Sequence, residues 1–431
     1  MTGEAMHALL ERLFPIQRGL TGDGNRLTLR ILAEHLPGLE VREIPSGTTV
    51  GDWTIPAEWN VDEAWIRDED GRTLVDLAAH GLHLASGSKP FRGWLSFEEL
   101  RSHLHTHPDD RTAIPYRTNY YRDDWDFCLS AESLERDFRP GCRYEVLVGA
   151  RRDPAGSLTL AELVLPGRDP RPVVVSTYIC HPWMANDNLS GVVVATALAR
   201  RLAGIDRSRT WRFVFAPETL GTLAWAAPIR QELSESCLGG IVLSTCAGPG
   251  RAGWKGTMEG ADHWLDRAMG EVVRERFPEA VRWSFDPHGS DERQLSSPGL
   301  RIPCVSFHQA RYYDWPGYHS SLDTASSVTP RALSDALAVH VALADRIEQE
   351  RFPERVSVPG EAMLGPKGLY PALGGAMLPG QELSELDMIL WLQFSADGRT
   401  PVCEMARRHG GDPATWDAIA SRMVEKGVLH G

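Results

Sequence analysis

No stretch of this 431-residue chain stays apolar for the roughly 18–20 residues that a membrane-spanning helix needs, so a membrane protein is not expected. Basic residues are also short. The 45 Lys and Arg face 58 Asp and Glu, leaving a net charge of −13. A protein whose main partner is nucleic acid needs a basic face, so that class is not expected either. Cysteine is sparse and odd in number, seven in all and mostly in apolar contexts. That argues against a disulfide framework and fits reduced thiols in the cytoplasm. No two cysteines form a C-x-x-C pair, which argues against a thiolate zinc finger. Residues 1–14 are amphipathic and lack the apolar core of a signal peptide, again in keeping with the cytoplasm.

What is present is a globular composition, 42% hydrophobic and 24% charged, in a chain long enough for two or three domains. Helical spacing predicts two helices within residues 4–36, and Val41–Ile44 reads as a strand. Residues 49–129 change character. Short alternating segments rich in Trp, Tyr and His are joined by turns such as Glu69-Asp70-Gly71, which predicts a small inserted β-rich domain. Its end, Ile114-Pro115-Tyr116-Arg117-Thr118-Asn119-Tyr120-Tyr121, is either a corner of its core or a lip facing substrate. Strands are then expected at 144–150, 158–165, 172–179, 211–216, 239–244 and 302–307, the first two joined through Asp153-Pro154-Ala155-Gly156. Helices are expected at 191–203, 222–235, 261–276 and 330–349. Apolar strands alternating with amphipathic helices indicate an α/β unit whose mostly parallel sheet is covered on both faces. Residues 350–380 are rich in Pro and Gly and read as a linker. Three short helical patterns at 382–394, 400–409 and 413–426 have the order of a winged helix-turn-helix. From Gln381 onward there are 5 Lys/Arg and 8 Asp/Glu, so the module reads as one for packing or oligomerisation, with a homo-oligomer expected.

Four patches lie just past predicted strands or in nearby loops. They are His181 with Asp187, then Glu218, then Gly289-Ser290-Asp291-Glu292-Arg293-Gln294, then Tyr318-His319-Ser320-Ser321-Leu322-Asp323. In open α/β sheets that edge is where ligands bind. Each has a plain structural reading: Asp187 between two asparagines as a cap, Glu218 as a first-turn acid, Asp323 as a loop cap. Together, two imidazoles and a carboxylate make a nitrogen and oxygen donor set suited to Zn²⁺, and a nearby free carboxylate can move the proton of an attacking water.

These motifs resemble the zinc aminopeptidase clan, which also holds carboxypeptidase and glutaminyl cyclase relatives. The resemblance covers residues 140–350 and rests on H-P-W-M-A-N-D-N-L-S-G, P-E-T-L-G, G-S-D and G-Y-H-S-S-L-D-T. The whole chain more closely resembles bacterial aminopeptidase-like domain proteins. It shares with them P-S-G-T at 45–48, D-W at 52–53, P-x-E-W-N at 56–60 and I-P-Y-x-T-x-Y-Y at 114–121. The resemblance implies a zinc-exopeptidase-like catalytic domain over 1–48 and 130–355, the inserted domain over 49–129, and a linker with a winged helix over 356–431. It implies a metal-dependent amide hydrolase acting on a small aminoacyl, peptidyl or N-acyl substrate. An acyltransferase or cyclotransferase on the same zinc site, or a degenerate metal-binding protein, is the alternative.

Departures from the clan pattern sharpen the expectation. Thr219 stands where two-metal relatives carry a second Glu, and Ser244-Thr245 stands where they carry a metal-binding Asp. The resemblance then implies one zinc per chain, held by His181, Asp187 and His319, with Glu218 as general base. The rival ligand set is Asp187, Glu218 and His319. Pro182-Trp183 replaces the Asp that orients the first His in many relatives, so His181 needs support from a backbone carbonyl or Asp323. Asp291 is expected to hold a substrate amine and Arg293 a carboxylate, unless they form a surface ion pair. Tyr312, Tyr313 or Tyr318 is expected near the oxyanion, and Tyr313, Tyr318 and Asp323 are expected against substrate.

Overall fold

The computed structural model of the chain describes residues 1–356, 359–370 and 383–430. The expected linker over 350–380 therefore falls partly outside the described residues.

The catalytic unit is built on an eight-stranded mixed sheet. Its spatial order is Glu40–Pro45, Ser157–Leu165, Arg209–Ala216, Asp169–Tyr178, Gly239–Val242, Cys304–Gln309, Ala252–Lys255 and Val281–Trp283. Asp169–Tyr178 runs parallel to both of its neighbours, Arg209–Ala216 and Gly239–Val242. The chain leaves this strand to pair first on one side and then on the other. A crevice opens at such a reversal, beyond the carboxyl ends of the strands.

The pattern of the central strand explains its position. Residues 172–178 are all buried. Val173 and Val175 enter a core shared with helices Gly3–Leu13, Gly191–Ala203 and Pro330–Gln349. Val174 points the other way, to Val214, Val242 and the helix Leu220–Ala226. Two-sided burial is what a continuous apolar run specifies. The helix expected over 222–235 is interrupted. Pro228 ends the regular turns, and the chain restarts as Arg230–Ser236. The strands Ala252–Lys255 and Val281–Trp283 were not expected from the sequence. They are short, and Lys255 disguises the first, yet its side chain is buried and donates to Glu292 Oε1 at 3.0 Å.

The inserted segment forms a second, antiparallel sheet from Thr73–Asp76, Glu58–Arg67, Arg143–Asp153 and Phe91–Ser96. Its strand Arg143–Asp153 lies past the expected boundary at residue 129 and does not hairpin with Ser157–Leu165. Tyr144, Val146, Val148 and Ala150 alternate into a core with Trp59, Ala64 and Ile66. Alternation identifies a half-buried strand but not the sheet that receives it.

The C-terminal module packs Glu385–Ser395, Val402–His409 and Pro413–Glu425 around Leu392, Met405, Trp416 and Met423. Glu354–Arg355 pairs with Leu429–His430, so this module takes up chain slightly before the expected boundary at 356. It is tied to the catalytic unit by Arg267, which pairs with the buried Glu404, and by Arg171, which donates to the Phe352 carbonyl at 3.0 Å. Among the described residues no helix is long and apolar enough to cross a membrane.

Gly191 opens the helix that follows the central strand. A Cβ there would lie 2.4 Å from the Leu243 carbonyl oxygen and 2.6 Å from Asn188 Oδ1. Gly191→Ala is therefore expected to lower stability by about 1–3 kcal/mol, as overpacking does. Denaturant unfolding against the parent chain checks this, and an unchanged midpoint refutes it.

Candidate metal centre

Strand Asp169–Tyr178 delivers Cys180 and His181 to the sheet edge, and the loop Ala185–Ser190 brings Asp187 back beside them. Asp187 is fully buried. Its loop is held from behind by Asp323, whose carboxylate accepts the backbone N–H of Asn186 at 2.7 Å and that of Asp187 at 2.8 Å. Asp187 Oδ1 accepts the hydroxyl of Tyr178, and the Tyr178 oxygen also lies 2.8 Å from Ser244 Oγ. Asp187 Oδ2 is different. It has no hydrogen-bond partner and lies 3.1 Å from His319 Nε2. A buried carboxylate oxygen without a donor is costly, and a cation between it and the imidazoles removes that cost.

The imidazoles are placed to share such a cation. His181, Asp187 and His319 each offer a ligand atom, and these atoms all lie within 4.8 Å of one another. The two rings are 5.5 Å apart between centroids. His181 is buried, and its Nδ1 lies 3.4 Å from Cys180 Sγ, which leaves Nε2 for the cavity. Burial lowers the His181 imidazole to about 4, so it stays neutral with a lone pair to give. Its carbonyl oxygen accepts two bonds from the buried Arg18, at 3.0 and 2.8 Å. Burial also opposes the Asp187 charge, but His181, His319 and Tyr178 together hold its carboxyl down to about 2. His319 has a left-handed backbone, φ 54°, and stacks flat on Tyr318 with centroids 3.9 Å apart.

Glu218 follows the neighbouring strand Arg209–Ala216. Its Oε2 lies 3.8 Å from His181 Nε2, outside the three-residue cluster, and the side chain is about a quarter exposed to the cavity. Its backbone N–H donates to Cys180 Sγ at 3.2 Å. The next residue, Thr219, has φ 64°, a strained state for a β-branched side chain. Asp291 pins that turn: Oδ1 accepts the Thr219 N–H at 2.9 Å, and Oδ2 accepts the Ser176 hydroxyl at 2.9 Å. Burial, then the charges of Asp291 and Asp187, hold the Glu218 carboxyl well above the usual carboxylate range.

The residues expected against substrate divide into two groups. Arg293 lines the cavity, Tyr318 stacks on His319, and Tyr313 is exposed, 5.4 Å edge-on from Tyr318 and outside the cavity lining. Asp291 and Asp323 are buried behind the site with their oxygens committed to backbone and hydroxyl donors. They position Glu218 and Asp187 respectively, because each loop carries N–H groups that only a buried acceptor can satisfy. Asp323 thus supports Asp187 rather than His181. The expected role of Tyr312 near an oxyanion also fails, since its hydroxyl donates to the His288 carbonyl at 3.1 Å.

The cavity above the cluster holds about 400 Å³. The inserted segment supplies Trp53, Tyr116, Tyr120 and Tyr121 to its wall, so the tyrosine-rich stretch borders the cavity while Tyr120 also packs against the core. Tyr116 lies 5.2 Å from both His181 and His319. Tyr178, Cys180 and Arg18 carry no distinguishing signal in the sequence, and only the folded chain brings them to the site. A second group, His103 with Asp124 and Asp126, is already neutralised. His103 Nδ1 bonds the Trp125 carbonyl at 2.7 Å, Asp126 accepts from His105 and Asn119, and Arg122 covers Asp124.

Residues 7–350 match the family model described as a domain of unknown function, DUF4910, and residues 351–431 match that of a winged helix-turn-helix. The chain belongs to the DUF4910 family. A relative from Clostridium acetobutylicum is 35% identical over 95% of this chain and 92% of its own length. Its name refers to polysaccharide biosynthesis and an aminopeptidase-like domain. A solved structure from Clostridium acetobutylicum, named for a peptidase, is 31% identical with a TM-score of 0.79, covering 99% of this chain and 96% of the other. A zinc aminopeptidase from Bacillus subtilis shares the fold, with a TM-score of 0.60 at 13% identity over 81% of this chain and 96% of its own. The DUF4910 unit is therefore an aminopeptidase-type α/β fold carrying a His-Asp-His cluster at its switch point.

Cys180 touches both the His181 ring and the Glu218 backbone, so it takes the orienting place left by Pro182. Groups that orient a metal ligand typically contribute about 10–100-fold in affinity. Cys180→Ala is expected to weaken zinc binding by about that factor. Competition against a chromogenic chelator reads it, and an unchanged affinity refutes the role.

Proposed function

We propose that this chain hydrolyses an amide bond in a small aminoacyl, peptidyl or N-acyl substrate, with one zinc ion held by His181, Asp187 and His319. The carrying observation is Asp187 Oδ2, buried without a donor and facing His319. Two imidazoles and a carboxylate fit zinc in donor type and number, leaving a position for water or substrate. Bound there, zinc would supply Lewis-acid activation of the scissile carbonyl and of the attacking water.

The protein's own groups do the rest. Glu218 accepts the water proton and returns it to the leaving nitrogen, a task suited to a carboxyl whose affinity for protons is raised. Cys180 and Asp291 fix that carboxylate through the backbone of the Glu218-Thr219 turn. Burial, then the charges of Asp187 and Glu218, push the Tyr318 phenol well up, so it remains a neutral donor for a developing oxyanion.

Three features support one ion over two. Tyr178 occupies Asp187 Oδ1, which a bridging carboxylate would need. Thr219 offers no carboxylate, and the Ser244 hydroxyl is engaged with Tyr178. The position of Glu218 outside the cluster supports its role as base over the rival one as ligand. Seven unpaired cysteines suit the cytoplasm. The Arg267–Glu404 tie suits a packing role for the C-terminal module, with homo-oligomer formation part of the same reading.

Metal analysis of purified protein is expected to give one zinc per chain, and two tightly bound ions would sink the single-site arrangement. Glu218→Gln is expected to keep that zinc while turnover falls by about 10²–10⁴-fold, the usual worth of a general base. Loss of the metal in this variant would instead make Glu218 a ligand.

A further inference from the structure

We infer that the substrate carries a carboxylate close to the scissile amide, and that Arg293 receives it. This rests on the amide-hydrolase reading and narrows it to N-acylated amino acids and short peptides that present their own terminal carboxylate.

The argument begins with what the cavity holds. Its charged wall consists of His181, His319, Glu218, Arg117 and Arg293. Glu218 is the sole carboxylate among the described residues lining it. Asp187, Asp291 and Asp323 lie buried behind the wall, with Asp291 and Asp323 fully committed to internal donors. A substrate ammonium would find no partner there except the residue needed as base.

A substrate anion is better served. Arg293, the second residue of the short helix Glu292–Leu295, reaches back to the Glu218-Thr219 turn. Its Nε donates to the Ser290 carbonyl at 3.2 Å, and its Nη2 lies 3.4 Å from Thr219 Oγ1. These are neutral partners; the guanidinium forms no close ion pair among the described residues, and its charge acts on the Glu218 carboxyl. Arginines such as Arg26, Arg209 and Arg212 are bound to carboxylates, whereas Arg293 lines the cavity next to the Glu218-Thr219 turn and is anchored by neutral groups. Its Nε and Nη2 are anchored, and among the described residues Nη1 makes no hydrogen bond, so the guanidinium is held with its Nη1–Nη2 end open to a ligand. A planar, fixed fork is the geometry that receives a carboxylate in two parallel bonds.

The test separates this inference from the reading beneath it. N-acetyl and N-aminoacyl amino acids, each paired with its C-terminal carboxamide, are titrated into zinc-loaded Glu218→Gln protein by calorimetry. The acids are expected to bind at least about tenfold more tightly than their carboxamides, as befits a charge-assisted bidentate contact. Adding Arg293→Gln is expected to remove most of that ratio, and Arg293→Lys to retain part of it, with zinc content and melting temperature unchanged. Carboxamides that bind as well as acids, no binding by any acid, or a preference that survives Arg293→Gln would overturn the carboxylate site. Hydrolysis by the unsubstituted protein is read separately. Acid-selective binding without any hydrolysis overturns the hydrolase reading and leaves the carboxylate site standing. Equal kcat/KM for acids and carboxamides does the reverse.

Discussion

One buried carboxylate joins the two halves of the metal cluster. Asp323 accepts the consecutive N–H groups of Asn186 and Asp187, and it belongs to the same loop as His319. Two stretches of chain more than a hundred residues apart are thereby locked in register. Burial first, with the nearby Asp187 charge, pushes the Asp323 carboxyl up to about 8, so this acceptor works under electrostatic load. Two further ties complete the frame. Cys180 couples His181 to Glu218, and Asp291 couples Glu218 to the central strand through Ser176. The groups that face the cavity are few; most of the polar chemistry at this sheet edge is spent holding them still, as pre-organisation requires.

The sequence and the fold agree where local physics decides. Runs such as Val173 to Tyr178 declare a strand buried on both faces, and the caps and apolar stripes of Pro330–Gln349 declare a helix. His181, Asp187, Glu218 and His319 were legible because each follows such an element and carries a distinctive side chain. The remainder depends on long-range geometry. An acid in a loop near a site reads the same whether it points into the cavity or behind it, and this is why Asp291 and Asp323 were expected against substrate. Cys180 and Tyr178 looked like ordinary core residues, and their second contacts come from segments far along the chain. The strand Arg143–Asp153 was recognised as a strand, but alternation says nothing about which sheet it joins.

The glycine of the N-D-N-L-S-G motif also becomes intelligible. Gly191 lets the helix start press against the Leu243 carbonyl, and that carbonyl also receives Thr177 and Asn188. The close approach seats the whole loop, Asp187 included, so a backbone requirement and a chemical one share a single motif.

The inserted segment meets the His319 loop through main-chain pairing. Tyr116 N–H donates to the His319 carbonyl at 2.8 Å, and Ser321 N–H donates to the Ile114 carbonyl at 2.9 Å. Swinging this wall aside would break several such bonds at once and uncover the rings of Tyr116 and His319. The opening is therefore a fixed sieve rather than a hinged lid. A chamber of about 400 Å³ behind it has the size of small-molecule sites. A wall held this way sorts what reaches the His-Asp-His cluster by size, so selection is built into the fold itself and needs no movement to enforce it.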